Sequence, residues 1–200
     1  MSSGRPALFL DKDGTLVRDV PYNVEPAKIE LLAGAVQSLA RISARGFALV
    51  VVTNQAGVAR GYFGESALGP VRARLEELLI PFGVKLDGFY WCPHHPEGQV
   101  PGYGRECECR KPGPGLLQRA AKELGIDVEL SWMIGDILND VEAGCRAGCR
   151  TILLDSGGET EWLPGECRNP THLVKGWDEV PFLIDESSEH AEQAPLHGTI

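Results

Sequence analysis

The sequence predicts a doubly wound α/β fold with a mostly parallel sheet, on three observations. Short apolar runs alternate with segments of helical periodicity. The runs read as strands buried on both faces. Three of them end on residues able to do chemistry, as such sheets place reactive groups beyond the carboxyl ends of their strands. Residues 7–10 form the first strand and end at Asp11. Ala35, Val36, Leu39, Ala40 and Ile42 then recur at helical spacing after Gly34, and Gly46 caps the segment. A second strand, 47–52, ends at Thr53-Asn54, and a helix over 66–80 presents Leu68, Val71, Leu75, Leu78 and Leu79 on one face. Residues 86–91 are the third strand, 116–124 a helix introduced by Pro114, and 132–134 a strand ending at Gly135-Asp136. A helix over 141–147, stopped by Gly148, and a strand over 151–154 complete the pattern.

Two hundred residues with 43% hydrophobic content suit one well-buried core, so 1–184 is read as a single domain. Residues 185–200 are an acidic tail expected to be mobile. The net charge is -9, and 176–200 carry six acids with no Lys or Arg, which leaves -3 for the rest. That balance excludes extended binding to a nucleic-acid backbone, which needs a basic footprint. No apolar stretch approaches the ~20 residues of a spanning helix, so no membrane association is expected. Asp11, Lys12 and Asp13 cut off the N-terminal apolar run before a secretory core forms, which points to the cytoplasm. In that compartment the six cysteines are ligands or buried thiols rather than a disulfide framework.

Asp11 and Asp13, two residues apart where a strand becomes a turn, share one face of the chain. One carboxylate can attack while the other handles a proton. Hydrolysis of phosphate monoesters, accelerated by enzymes up to ~10²¹-fold, asks for just such a division of labour. It needs a nucleophile, a cation, an acid for the leaving oxygen and fixed donors around the phosphoryl group. Asp11 is the nucleophile, and Asp13 the acid that becomes the base. Mg²⁺ takes oxygen ligands from Asp11, Asp136 and the backbone carbonyl of Asp13. The Thr53 hydroxyl and Lys111 ammonium cradle the phosphoryl oxygens. A calcium loop starting at Asp11 fails, because its sixth and twelfth positions fall on Leu16 and Tyr22. Taken alone, Asp-Lys-Asp-Gly would be a surface turn. Three strand ends with complementary roles make it a site.

Asp11-Lys12-Asp13-Gly14-Thr15, Val52-Thr53-Asn54, Lys111-Pro112 and Gly135-Asp136-Ile137-Leu138-Asn139-Asp140 together resemble, in order and spacing, the four motifs of the haloacid dehalogenase (HAD) superfamily of phosphatases. The resemblance spans 7–154 and implies a Rossmann-like fold with Asp11 as nucleophile, Asp13 as acid/base, Thr53 and Lys111 as phosphoryl binders and Asp136 as a magnesium ligand. Asp140 either orients the site or is simply a favourable charge at a helix N-terminus.

The segment 92–112 is too rich in Pro and Gly for a regular element, and a loop that long is functional or externally tied. Cys92, Cys107 and Cys109, with His94 or His95, make a Cys₃His set that suits structural Zn²⁺. Bound metal would order a loop too poor in apolar residues to order itself. Arg110 and Lys111 follow Cys109 directly, so folding the loop over 92–110 aims two cations at the phosphate site. Cys145, Cys149 and Cys167 are core or surface thiols with no assigned role. Within the superfamily, this loop resembles the branch that carries a short zinc-bound insert in place of a large cap domain. The resemblance favours His94 as the fourth ligand and implies action on a heptose bisphosphate, or alternatively on histidinol phosphate; a monomer is expected. It implies substrate contacts at Asp19, Tyr22, Asn54, Gln55, Arg60 and Arg110. The two arginines exceed what one transferring phosphate needs, and guanidinium forks suit a second, non-reacting one.

Overall fold

The computed structural model describes residues 4–184. Among these, one wholly parallel sheet contains β1 (Ala7–Leu10), β2 (Ala48–Asn54), β3 (Gly88–Cys92), β4 (Trp132–Gly135), β5 (Arg150–Leu154) and β6 (His172–Val174), in the spatial order β3-β2-β1-β4-β5-β6. Helices α1 (Ala35–Ser43), α2 (Leu68–Leu79), α3 (Gly115–Leu124) and α4 (Leu138–Ala147) cover its two faces. The two-residue period of a strand sorts the core into layers. Leu8 and Leu10 of β1 pack with Val36, Leu39 and Ile42 of α1 and with Val71, Leu75 and Leu79 of α2. Ala7 and Phe9 face the other way, toward Leu116, Leu117 and Ala120 of α3 and Ala143 of α4. All four β1 side chains are buried, which explains why that strand reads as unbroken apolar sequence rather than as an alternation.

The chain builds outward from β1 to β3, then returns to β1's other flank as β4. This reversal opens a crevice at the carboxyl ends of β1 and β4, the place where such folds bind ligands. Leu10 pairs with Ile134, and the Asp11 N–H donates to the Ile134 carbonyl at 3.0 Å. Asp11 and Asp136 therefore leave neighbouring strands on the same edge. The turn after β1 is braced from below: Trp177 Nε1 donates to the Thr15 carbonyl at 2.8 Å, and Ser38 of α1 donates to the Trp177 carbonyl at 2.6 Å.

Three features differ from the sequence expectation. Helix α4 starts at Leu138 rather than 141, because the Asp140 carboxylate accepts the Ile137 N–H at 3.4 Å and caps an earlier turn. The sequence pattern did not anticipate β6, an edge strand of three residues with one buried side chain. Cys145 and Cys167, read as unconnected thiols, form a disulfide with their Cα atoms 5.5 Å apart. Their separation of 22 residues runs out through β5 and back, a path that spacing does not report. Cys149 is a buried thiol as expected, and burial pushes it up to about 12. No helix among the described residues is long and apolar enough to cross a membrane. The acidic tail at 185–200 lies outside the described residues.

Candidate active site

Three strand ends bring their polar residues into one cleft of about 230 Å³, lined by Asp11, Asp13, Thr53, Lys111, Asp136 and Asp140 among others. Its centre is the buried Lys111 ammonium, 2.5 Å from Asp11 Oδ1, 2.7 Å from Asp140 Oδ1 and 2.9 Å from the Val52 carbonyl. Asn54 fixes the lysine's backbone from both sides: its side-chain amide donates to the Lys111 carbonyl at 3.1 Å and accepts the Lys111 N–H at 3.0 Å. Asp140 thus contacts the lysine directly as well as capping its helix.

Asp136 is confined by backbone. Gly14 adopts φ +82°, and a Cβ there would fall 2.2 Å from Asp136 Oδ2. A Cβ on Gly158 would fall 2.0 Å from the same atom. Any larger residue at either position would collide with the carboxylate. Thr15 Oγ1 donates to Asp136 Oδ1 at 3.2 Å and completes the seat. Gly158 belongs to the connection between β5 and β6, and sequence reasoning missed it. Only the Gly157-Gly158 pair hinted at a close backbone approach there.

Asp11, Asp136 and Asp140 each offer an oxygen within 4.8 Å of the others. Burial, with Asp11 and Asp140 beside it, pushes Asp136 up to about 8, and burial pushes Asp140 up to about 6 despite Lys111. One lysine does not balance three buried carboxylates. The donor set therefore fits a hard divalent cation. A linkage prediction follows from the sign of the Asp136 shift. Without a cation, the folded state holds a proton that the unfolded chain releases near pH 4, so its stability should fall as pH rises from about 4 to about 8. Magnesium removes the penalty by binding the ionised form. Thermal melts in magnesium-free and magnesium-containing buffer should show a larger Mg²⁺-induced rise in Tm at pH 8 than at pH 5.5. An equal or smaller rise at pH 8 would rule out cation binding by these acids.

Asp13 lines the same cleft but has partners of its own. Lys12 Nζ meets its Oδ1 at 2.5 Å, and Gln55 Nε2 donates to its Oδ2 at 3.2 Å. Burial raises its pKa although Lys12 opposes the shift, a direction that suits a proton donor. The Asp13 side chain also borders a second cleft, of about 280 Å³, with Asp19, Tyr22, Asn54, Gln55 and Arg110 in its lining. Asp13, Asp19 and Asn54 line both spaces, whose combined size lies in the ~300–1,000 Å³ range of small-molecule sites. Tyr22 stands at φ +56° and meets Tyr62 edge-on, with ring centroids 4.7 Å apart. Arg60 packs against the loop, with Nη2 3.4 Å from both Glu97 Oε2 and His95 Nε2, within electrostatic reach of Arg110.

The Cys/His loop closes around four ligand atoms. The three sulfurs of Cys92, Cys107 and Cys109 lie 3.1–3.5 Å apart, and His94 Nδ1 is 3.3 Å from Cys109 Sγ and 3.7 Å from Cys92 Sγ. A tetrahedron with Zn–S of ~2.3 Å and Zn–N of ~2.0–2.1 Å has edges of roughly 3.5–3.8 Å. The geometry separates the two histidines, because His95 Nδ1 instead accepts the Glu97 N–H at 3.1 Å. Burial pushes the Cys92 and Cys109 thiols up, so a cation is needed to hold three thiolates together. Two ties connect the loop to the site: the Gln55 N–H donates to the Cys92 carbonyl at 2.8 Å, and Arg110 Nη1 reaches the His94 carbonyl at 3.4 Å.

A doubly wound sheet with an aspartate pair after β1, a buried lysine and an acid cluster after β4 defines a phosphohydrolase of the HAD type. Residues 108–180 match the HAD-hydrolase-like family model. The chain is 44% identical over 180 residues to the D-glycero-β-D-manno-heptose-1,7-bisphosphate 7-phosphatase of Pasteurella multocida, covering 90% of this chain and 97% of that one. A HAD-like phosphatase structure from Mesorhizobium loti superposes with a TM-score of 0.80 at 37% identity, covering 92% and 87% of the two chains. The D,D-heptose 1,7-bisphosphate phosphatase of B. bronchiseptica, solved with magnesium and phosphate, gives a TM-score of 0.72 at 28% identity, covering 91% and 99%. The chain belongs to the heptose-1,7-bisphosphate 7-phosphatase family of HAD-like phosphatases.

Proposed function

We propose that this phosphatase hydrolyses the 7-phosphate of D-glycero-D-manno-heptose 1,7-bisphosphate through an aspartyl-phosphate intermediate. The observation that carries this reading is the junction of two clefts. A chamber of buried acids and Lys111 opens onto one walled by Asp19, Tyr22 and Arg110, so a reacting phosphate and a second anionic group fit at opposite ends. In the first chamber Asp11 attacks phosphorus, held by Lys111 at Oδ1, while Thr53 and Lys111 donate to the phosphoryl oxygens. Asp13 gives its proton to the departing sugar oxygen, then takes one from the water that cleaves the acyl phosphate. Asp11, Asp136 and the Asp13 backbone carbonyl would hold Mg²⁺, which supplies positive charge to the phosphoryl group. In the second chamber the Arg110 fork would take the phosphate that stays.

We read residues 1–184 as one catalytic domain working as a monomer in the cytoplasm. Cys92, His94, Cys107 and Cys109 would hold Zn²⁺ as a shaping rather than a catalytic metal. The test compares kcat/KM with Mg²⁺ for heptose 1,7-bisphosphate and histidinol phosphate. The heptose compound should be preferred by at least about 100-fold, as expected for a half-buried guanidinium matched to one substrate alone. A preference for histidinol phosphate would defeat this assignment.

A further inference from the structure

We propose that Gln55 is a positioning residue for proton transfer, aligning Asp13 and the Thr53 hydroxyl at once, rather than a contact to the sugar. The inference rests on the phosphatase reading above and adds a role inside it. Gln55 is buried, 5% exposed, and its single amide nitrogen donates to both Thr53 Oγ1 at 2.9 Å and Asp13 Oδ2 at 3.2 Å. The amide nitrogen faces both partners, the orientation that the ionised form of Asp13, an acceptor only, requires. With Oδ1 taken by Lys12 at 2.5 Å, both oxygens of Asp13 are then fixed, and the carboxyl plane with them. On Thr53, accepting from Gln55 leaves the hydroxyl proton free to donate to a phosphoryl oxygen. The Gln55 main chain is anchored in turn, because its N–H binds the carbonyl of the metal-loop residue Cys92 at 2.8 Å. With both donor hydrogens spent on catalytic groups, Gln55 keeps only its Oε1 acceptor for any other partner.

The test uses Gln55→Met, which keeps the volume and loses the donors, and Gln55→Glu, which keeps the shape and sets a carboxylate against Asp13. Each is assayed on heptose 1,7-bisphosphate, an alkyl ester that needs a proton donor, and on p-nitrophenyl phosphate, whose phenolate departs without one. Gln55→Met should lower kcat on the alkyl ester about 30-fold, somewhat less than the full ~10²–10⁴-fold worth of acid–base catalysis because Asp13 is misaligned rather than removed, with KM within about twofold of the unsubstituted enzyme. Its kcat/KM on the aryl ester, which uses the Thr53 donor but needs no proton for its leaving group, should fall only about threefold. Gln55→Glu should be the worse variant on the alkyl ester. A rise in KM with kcat retained would make Gln55 a sugar contact, and equal losses on both esters, or a Glu variant as active as the parent, would make it scaffold. Each of these overturns the proposal. If the unsubstituted enzyme ignores the heptose ester, the substrate reading fails separately, and histidinol phosphate serves as the alkyl ester for the same comparison.

Discussion

Asp11→Asn should reduce phosphate release from any ester by a factor on the order of 10⁴ or more, as loss of a covalent nucleophile does, while the protein stays folded. The amide is nearly isosteric, so β1 and its turn have no steric reason to move. Its nitrogen is a poor nucleophile, and its oxygen carries no charge. Lys111 loses one of its two carboxylate partners but keeps Asp140 at 2.7 Å and the Val52 carbonyl at 2.9 Å, so the buried ammonium is not abandoned. Removing one of three crowded carboxylates also relieves Asp136, whose raised pKa has Asp11 as its largest charged cause after burial. The variant should therefore melt no lower than the parent in magnesium-free buffer at pH 8, although it is inactive. Steady-state phosphate release and thermal melts of the two proteins check both halves. Turnover within tenfold of the parent would remove Asp11 from the nucleophile's place, and with it the covalent route.

How much of this was legible in the sequence varies with the physical range of each cue. The five longer strands announce themselves because a strand buried on both faces must be apolar throughout, a local requirement. β6 makes one half-exposed edge of three residues and leaves no such trace. Asp11 and Asp136 were readable because each directly follows a readable strand, with Asp13 and Asp140 two and four residues further on. Their partners were not, for partnership is a property of three dimensions. That Asn54 clamps the Lys111 backbone, that Gly158 closes on Asp136 and that Cys145 meets Cys167 all depend on segments joined only by the completed sheet. The same limit explains Arg60. Its position after Thr53-Asn54-Gln55 puts it near the site in sequence, yet the turn carries its guanidinium to Glu97 and His95 of the loop.

Cys109→Ser should release the metal expected in the loop and separate the two cations that follow it. Zinc binding supplies ~10–16 kcal/mol in small peptides, and this loop has few buried apolar groups to replace that contribution, so Tm should fall by about 10 °C. The effect on catalysis should be selective. Lys111 is held independently of the loop, by Asn54 at its backbone and by Asp11, Asp140 and the Val52 carbonyl at its ammonium. Arg110 instead leans on the His94 carbonyl, inside the metal loop. Loss of the metal should therefore loosen Arg110 and spare Lys111. For the heptose bisphosphate, KM should rise about 10- to 100-fold, the worth of hydrogen bonds between charged groups, while kcat on p-nitrophenyl phosphate stays within about threefold. Metal content by elemental analysis, with kinetics on both esters, reads the two effects separately. If kcat on the aryl ester collapsed along with the metal, the loop would be holding Lys111 as well. If the metal stayed bound, or KM stayed put, the link from Cys109 to Arg110 would be broken.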